Sequence, residues 1–259
     1  MILHFYKYQG AGNDFILLDI RSKKILLNTK QIQFLCDRHF GIGADGLMLL
    51  ENSNNADFKM VYFNSDGRES TMCGNGGRCI VAFAKHLGII QNQTTFEAID
   101  GLHYAEVLQN NIIRLQMKDV DNITNNNEDF VLNTGSPHFV KIVHHLDDIN
   151  VFEEGRKIRY SPNFNKEGIN VNFMEIVNNE NIKVRTYERG VENETLACGT
   201  GVTACAIIAD YILNLKDKKV NVQTRGGRLV VEFQKNDSVY HNVFLTGNAN
   251  FVFKGEIQI

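Results

Sequence analysis

A chain of 259 residues is long enough for one large domain or two small ones, and 43% hydrophobic with 22% charged residues is an ordinary globular composition. The net charge of −3, with no long basic run, gives no electrostatic case for nucleic acid, and no apolar run is long enough to span a bilayer. Neither nucleic acid nor membrane is therefore expected as a partner, whereas a small zwitterionic ligand is compatible with the charge. The start, MILHFYKYQGAGNDF, lacks a charged segment followed by a long apolar one, so the sequence reads as cytosolic. The five cysteines, Cys36, Cys73, Cys79, Cys198 and Cys205, are then expected as reduced thiols. They form no CxxC pair, so no metal centre or thioredoxin-type centre is predicted.

In chain order, GAGNDF (10–15) puts Asn13 after two glycines and before the apolar FILLD. Cys36 falls in an apolar helical pattern with Ile32 and Leu35 and is assigned to packing. FKMVYFN (58–64) alternates as a strand does and ends on Asn64; Asp66-Gly67 follows as a turn. MCGNGGRCIVAFAKHL (72–87) reads as a helix, with Ile80, Phe83, Ala84 and Leu87 at helical spacing. TTFEAI, LHYAEVLQ and IIRLQM read as three strands joined by hairpin turns at Asp100-Gly101 and Asn110-Asn111. The polar DNITNNNED (121–129) is either a linker between halves or a surface loop. GSPH places His138 after a proline-fixed turn, and Asn170 lies in GINVNFM.

The second half repeats the order of the first. IKVRTYE (182–188) reads as a strand, Arg189-Gly190 as a turn, and ACGTGVTACAIIADYIL (197–213) as a helix in which Ile208, Tyr211, Ile212 and Leu215 share a face. VNVQTR, RLVVEFQ and VYHNVFL complete it. MCGNGGRC matches ACGTGVTAC: each is Cys-Gly-x-Gly after a strand and before a helix, 125 residues apart, the offset that duplication predicts. The expected fold is α/β of the α+β kind. It has two pseudo-symmetric halves, each a curved, mainly antiparallel sheet around a central helix, and if the halves face each other the active site is expected in the cleft between them.

A cysteine at a helix start sits among unpaired N–H groups at the positive end of the dipole. That setting stabilises a thiolate, glycine lets a ligand approach the backbone, and the same N–H groups suit a substrate carboxylate. Two such cysteines on facing halves can work on opposite faces of one carbon. A thiolate removes the α-proton and a thiol delivers another from the far side, inverting the centre. Taken alone, Cys73 or Cys198 reads equally well as a buried small hydrophobe; the repeated context favours chemistry. Cys79 and Cys205 lie inside the helices and are assigned to packing. The asparagines are individually explained by turn chemistry, Glu188 and Arg189 by a solvated turn pair, and His138 by a satisfied surface or core position. Together they supply donors and acceptors for an amino acid. Neither glycine-rich turn matches a nucleotide-binding pattern.

GAGNDF, DRHFGIGADG (37–46), FNSDGRES…MCGNGGRC, GSPH, NVNF, YERGVENETLACGTG (187–201) and GNANF (247–251) stand in the order found in diaminopimelate epimerases, which the chain closely resembles over nearly its whole length. The resemblance implies an epimerase that needs no pyridoxal phosphate or other cofactor, interconverts LL- and meso-diaminopimelate for lysine and peptidoglycan synthesis, and is a homodimer. It implies halves of 1–120 with 248–259, and 121–247. Cys73 and Cys198 match the catalytic thiols. Asn13, Asn64, Asn170, Glu188 and Arg189 match substrate-binding side chains. Gly74, Asn75, Gly199 and Thr200 match carboxylate-holding turns. His138 and Glu188 match residues that tune the thiols. Gly46 and Ser136 depart from the common Gln and Asn, and Phe253 stands where a dimer-contact Tyr is often found. Three rivals remain: a proline or hydroxyproline racemase, a fold member that isomerises with a single carboxylate, and a redox or amino-acid-binding module.

Overall fold

The computed structural model describes residues 1–23, 25–126 and 129–259. The chain is mixed α/β, mostly sheet with few helices, and divides into two compact units, Met1–Leu115 with Gly247–Ile259, and Gln116–Thr246.

Unit 1 opens with β1 (Ile2–Gly10), β2 (Asn13–Asp19), helix α1 (Thr29–Cys36), β3 (Gly46–Glu51) and β4 (Phe58–Asn64). The short β5 (Glu69–Ser70), helix α2 (Gly74–His86), β6 (Gln93–Ala98), β7 (Gly101–Val107) and β8 (Ile112–Gln116) follow. Unit 2 holds β9 (Ile123–Asn126), β10 (Asp129–Asn133), β11 (Pro137–Ile142), helix α3 (Val151–Arg159), β12 (Asn170–Asn178) and β13 (Asn181–Glu188). It continues through β14 (Asn193–Thr195), helix α4 (Gly199–Leu213), β15 (Lys219–Thr224), β16 (Gly227–Asn236) and β17 (Val239–Asn248). The last strand, β18 (Asn250–Gln258), returns to unit 1 and pairs antiparallel with β1.

The two units share one pairing scheme. In unit 1, β1 is antiparallel to β2, β2 parallel to β3, β3 antiparallel to β4, and β4 parallel to β6. In unit 2, β10, β11, β12, β13 and β15 take the same five places with the same directions. Each parallel pair is bridged by a helix, because parallel neighbours need a long crossover: α1 and α2 in unit 1, α3 and α4 in unit 2. Antiparallel hairpins β6–β7–β8 and β15–β16–β17 close the two schemes. Register extends the match to single residues. Phe15 lies opposite Gly46 and Gly46 opposite Asn64. His138 lies opposite Asn170, and Val171 opposite Tyr187, so Asn170 and Glu188 close that ladder. Phe15 thus corresponds to His138, Gly46 to Asn170, Met48 to Asn172 and Asn64 to Glu188.

Strand alternation divides each sheet into two faces. Leu3, Phe5, Ile16, Leu18, Leu47 and Leu49 pack with Ile32, Leu35 and Cys36 of α1. Their alternates Phe15, Met48, Phe58 and Met60 are buried on the other face, which α2 covers. In unit 2, Phe139, Val171, Phe173 and Tyr187 form a core with Val151 of α3, leaving His138, Asn170 and Asn172 on the opposite face. α1 starts on a capping box in which Asn28 Oδ1 accepts from Gln31 N at 3.0 Å and Gln31 Oε1 accepts from Asn28 N at 3.0 Å.

Two sequence readings are corrected. α4 has no single apolar face: Val202 to Asp210 are all buried, while Tyr211 and Ile212 are 46% and 41% exposed. A helix apolar all round is a core helix, and its exposed end breaks the assumed stripe. The stretch 121–129 is not simply a linker or loop. Ile123–Asn126 and Asp129 belong to strands β9 and β10, which pair antiparallel. Asn127 and Glu128, read from the sequence as part of the same linker or loop, lie outside the described residues. The units meet along the chain at Leu115/Gln116, ahead of this stretch.

Candidate active site: two helix-capping cysteines

Cys73 is the N-cap of α2, with extended backbone and its sulfur accepting from Gly76 N at 3.2 Å. Cys198 is the N-cap of α4, 7% exposed, with its sulfur 3.4 Å from Thr200 Oγ1. Both sulfurs therefore stand at the positive end of a helix. The neighbouring turns match: Arg78 Nη1 donates to Gly74 O at 3.0 Å, and Thr203 Oγ1 at the equivalent place donates to Gly199 O at 3.0 Å. Cys36, Cys79 and Cys205 are buried, and burial first of all pushes the thiols of Cys36 and Cys79 up to about 12 and that of Cys205 well above its ordinary value. They stay neutral thiols, in keeping with packing.

Around Cys73, unit 1 gathers Gly74, Asn75 and Asn13. Asn75 is 2% exposed and donates through Nδ2 to Asn13 Oδ1 at 3.4 Å, while its Oδ1 accepts from Arg78 Nη2 at 2.9 Å. Asn64 is exposed at the end of β4, opposite Gly46. A side chain at Gly46 has no room: a Cβ there would stand 2.6 Å from Phe63 O and 2.6 Å from the Tyr62 ring.

In unit 2, Gly199 and Thr200 adjoin Cys198, while His138, Asn170 and Glu188 lie on the paired strands β11, β12 and β13. Asn170 is buried and fully engaged. Its Nδ2 donates to Ser136 Oγ at 2.9 Å and to Pro137 O at 3.2 Å, and its Oδ1 accepts from Arg189 N at 2.9 Å. With both Nδ2 hydrogens spent inside unit 2, Asn170 has only acceptor capacity left, and the Ser136 hydroxyl keeps a proton to donate. Glu188 Oε2 accepts from Thr195 Oγ1 at 3.0 Å. Arg189 is exposed, and its Nη1 donates to Glu167 O at 3.0 Å. His138 is fully buried; burial, aided by the charge of Arg189, pulls its pKa down to about 3, so the ring is neutral at physiological pH.

Sequence reasoning missed three parts of these half-sites. Arg78 is fully buried in α2, and burial lowers its pKa to about 10, which leaves it a cation near neutrality. The visible signal was a lone basic residue between glycine and cysteine. Asn172 is also fully buried, a polar residue inside a strand buried on both faces. The third part is a charge network beneath Asn13. Lys7 is 5% exposed and pairs with Asp14 at 2.7 Å while also contacting Gly43 O. Arg38 pairs with Asp14 and Asp45, both at 2.7 Å, and Asp45 accepts from Asn13 Nδ2 at 2.6 Å.

Burial alone would raise the Asp14 carboxyl, but hydrogen bonds and charge from Arg38 and Lys7 outweigh it and hold the pKa at about 2. A carboxylate with a depressed folded pKa stabilises the fold above its ordinary value of 3.8, and that contribution is lost as pH falls toward 2. We expect about 2 kcal/mol of stability to disappear over this window, much less of it in Asp14→Asn. Urea midpoints at pH 6 and pH 2 check this; an equal acid loss in parent and variant would refute it.

Among the described residues, no helix is long and apolar enough to cross a membrane. The fold defines the class: it is shared with a Bacillus anthracis PhzF-family phenazine biosynthesis protein (TM-score 0.75, 17% identity, all of both chains) and a hydroxyproline epimerase from Agrobacterium vitis (TM-score 0.72, 14% identity, 99% of this chain and 92% of that one). Within that class the chain belongs to the diaminopimelate epimerase family, whose model matches residues 5–121 and 130–252. It is 52% identical to the diaminopimelate epimerase of Flavobacterium psychrophilum over 98% of this chain and all of the relative. It is 43% identical to that of Aquifex aeolicus over 99% and 98% of the two chains.

Proposed function

We propose that this chain interconverts LL- and meso-diaminopimelate without pyridoxal phosphate or another cofactor, as a step toward lysine and peptidoglycan precursors. The reading rests above all on two helix-capping cysteines in equivalent turns of a duplicated fold. In this reading one sulfur works on each face of the α-carbon. Cys198 or Cys73, whichever is the thiolate, takes the α-proton, and the other thiol returns a proton from the far side. After each turnover the charge has moved from one sulfur to the other.

The α-hydrogen of an amino acid is very weakly acidic, so the carbanion needs fixed positive potential in a dry site. The N–H groups of Gly74-Asn75 and Gly199-Thr200 would supply it at the reacting carboxylate. Asn13, Asn64, Glu188, Arg189 and the Asn170–Ser136 pair would read the ammonium and carboxylate ends. A site built to bond two amino-acid heads rejects a one-headed analogue, because its own polar groups would be left unpaired. This is the feature that favours diaminopimelate over proline. His138 and Glu188 would tune the thiols.

The test is incubation with LL-diaminopimelate in D2O. The reading requires conversion to the meso isomer with deuterium entering at one α-carbon, and no turnover of proline. Binding without exchange would instead indicate an amino-acid-binding module.

We further propose a cytoplasmic homodimer, since a reducing compartment keeps both thiols usable. Phe251, Val252 and Phe253 of β18 are all more than 40% exposed and would form the contact. Sedimentation equilibrium should report a dimer that Phe253→Asp shifts to monomer; a monomeric parent protein at micromolar concentration would refute this.

A further inference from the structure

Equivalent positions behind the two sulfurs carry opposite chemistry. In unit 1, a Cβ placed on Gly76 would touch Met48 Cε and stand 3.0 Å from Cys73 Sγ and 3.5 Å from Phe15 Cζ. Cys73 is thus backed by a thioether and a phenyl ring. In unit 2, a Cβ on the matching Gly201 would collide with Asn172 Oδ1 and stand 3.4 Å from Cys198 Cβ. Strand register puts Asn172 in the place of Met48, and His138 in the place of Phe15. An apolar pair behind one cysteine is replaced by an amide and an imidazole behind the other.

The hydrogen bonds of Asn172 settle the proton on that imidazole. Its Nδ2 stands 2.9 Å from Phe139 O and 3.1 Å from His138 Nδ1. Its Oδ1 accepts from Thr186 Oγ1 at 2.9 Å. A backbone carbonyl can only accept, so the atom facing Phe139 O is the amide nitrogen. Its second hydrogen points to His138 Nδ1, which must accept it. The neutral ring therefore carries its proton on Nε2. That Nε2 is buried and finds no hydrogen-bond partner among the described residues. A buried donor left unsatisfied costs about 1–3 kcal/mol, so it persists where something else accepts from it.

We infer that Asn172 is a positioning residue: it fixes His138 as a neutral Nε2–H donor in the place that Phe15 takes behind Cys73, from which it would hydrogen-bond the sulfur of Cys198 once the thiolate forms. The inference rests on the acid–base reading of Cys198 given above. Charged groups at this end of unit 2 include Glu188, bonded to Thr195, Arg189, bonded to Glu167 O, and the Arg159–Glu192 pair, which packs against Arg189 at Gly168. Cys205, on the same helix, stays a neutral thiol. A neutral donor stabilises a thiolate without adding a charge that would have to be buried when the thiol form returns.

The test uses Asn172→Met, which copies the unit 1 arrangement, and Asn172→Ala in case methionine crowds the site. Nitrogen NMR of histidine-labelled protein should show His138 with its proton on Nε2 in the parent and lose that pattern in both variants. In a Cys73→Ala background, ultraviolet titration of the Cys198 thiolate should move up by about one pH unit, a roughly tenfold loss of thiolate. With both cysteines present, kcat should fall with KM little changed. A parent His138 protonated on Nδ1, or a Cys198 titration unmoved in a folded variant, would overturn the inference. The NMR and titration need no substrate, so their failure is separable from failure of the proposed function, which would appear as no LL–meso conversion by the unaltered protein.

Discussion

Alanine in place of either Cys73 or Cys198 is expected to slow inversion at the α-carbon by at least about a hundredfold while leaving the protein folded. A positioned acid or base contributes roughly 10²–10⁴-fold, and here neither role has a substitute. Cys36, Cys79 and Cys205 are buried thiols pushed far from the titration range, so none can take over. The structural cost is small. Cys73 loses one weak cap contact to Gly76 N, worth about 1 kcal/mol at most, and Cys198 loses its contact with Thr200. The two variants should also differ from a simple knock-out. If the proposed two-base mechanism holds, the remaining sulfur can still act on one side of the carbon, so each should exchange the α-hydrogen of one stereoisomer slowly, without inversion. Chiral chromatography and proton NMR in D2O read both effects. Near-full epimerisation by either variant would remove the two-base mechanism.

The largest loss of stability is expected from Asp210→Ala. Asp210 is fully buried near the end of α4, where a carboxylate is opposed by the helix dipole. Its Oδ1 accepts from Leu215 N at 3.0 Å and Lys218 Nζ at 2.8 Å; its Oδ2 accepts from Tyr240 Oη at 3.0 Å and Lys235 Nζ at 3.3 Å. One side chain thus ends the central helix of unit 2 and ties it to β16 and β17. Removing it strands two ammonium groups and a buried phenol, which costs about 3–5 kcal/mol. Asp210→Asn keeps one acceptor oxygen, enough for Leu215 N, and should lose less. Urea unfolding gives the measure, and a change below about 1 kcal/mol for the alanine variant would show that the cluster is solvated rather than structural.

The strands of both units were legible because they alternate and end on turn pairs such as Asp100-Gly101. The duplication was legible because Cys-Gly-x-Gly recurs in the same context. The covering of α4 was not: once every side of a helix is buried, no periodicity marks a face, and the pattern ran on through exposed Tyr211 and Ile212. Strand β9 was hidden because its Ile-Thr-Asn-Asn has the composition of a loop and only pairing with β10 defines it. Cys73, Cys198 and their glycines were readable from local spacing. Asp14 with Lys7, Arg38 and Asp45 was not, because its partners are brought together by the β2–β3 crossover. Asn172 was hidden for a related reason. In a strand buried on both sides, one asparagine breaks no alternation, and its meaning lies in the imidazole on the next strand.

The return of β18 to β1 has a consequence for how the protein is made. Every residue of unit 2 leaves the ribosome before the strand that completes the sheet of unit 1. Unit 2, continuous in sequence, can collapse while synthesis proceeds, whereas unit 1 keeps β1 with an open edge until the very end. Chains cut short before Asn250 would expose that edge as a template for non-native pairing, so premature termination should yield aggregates rather than a weakened enzyme.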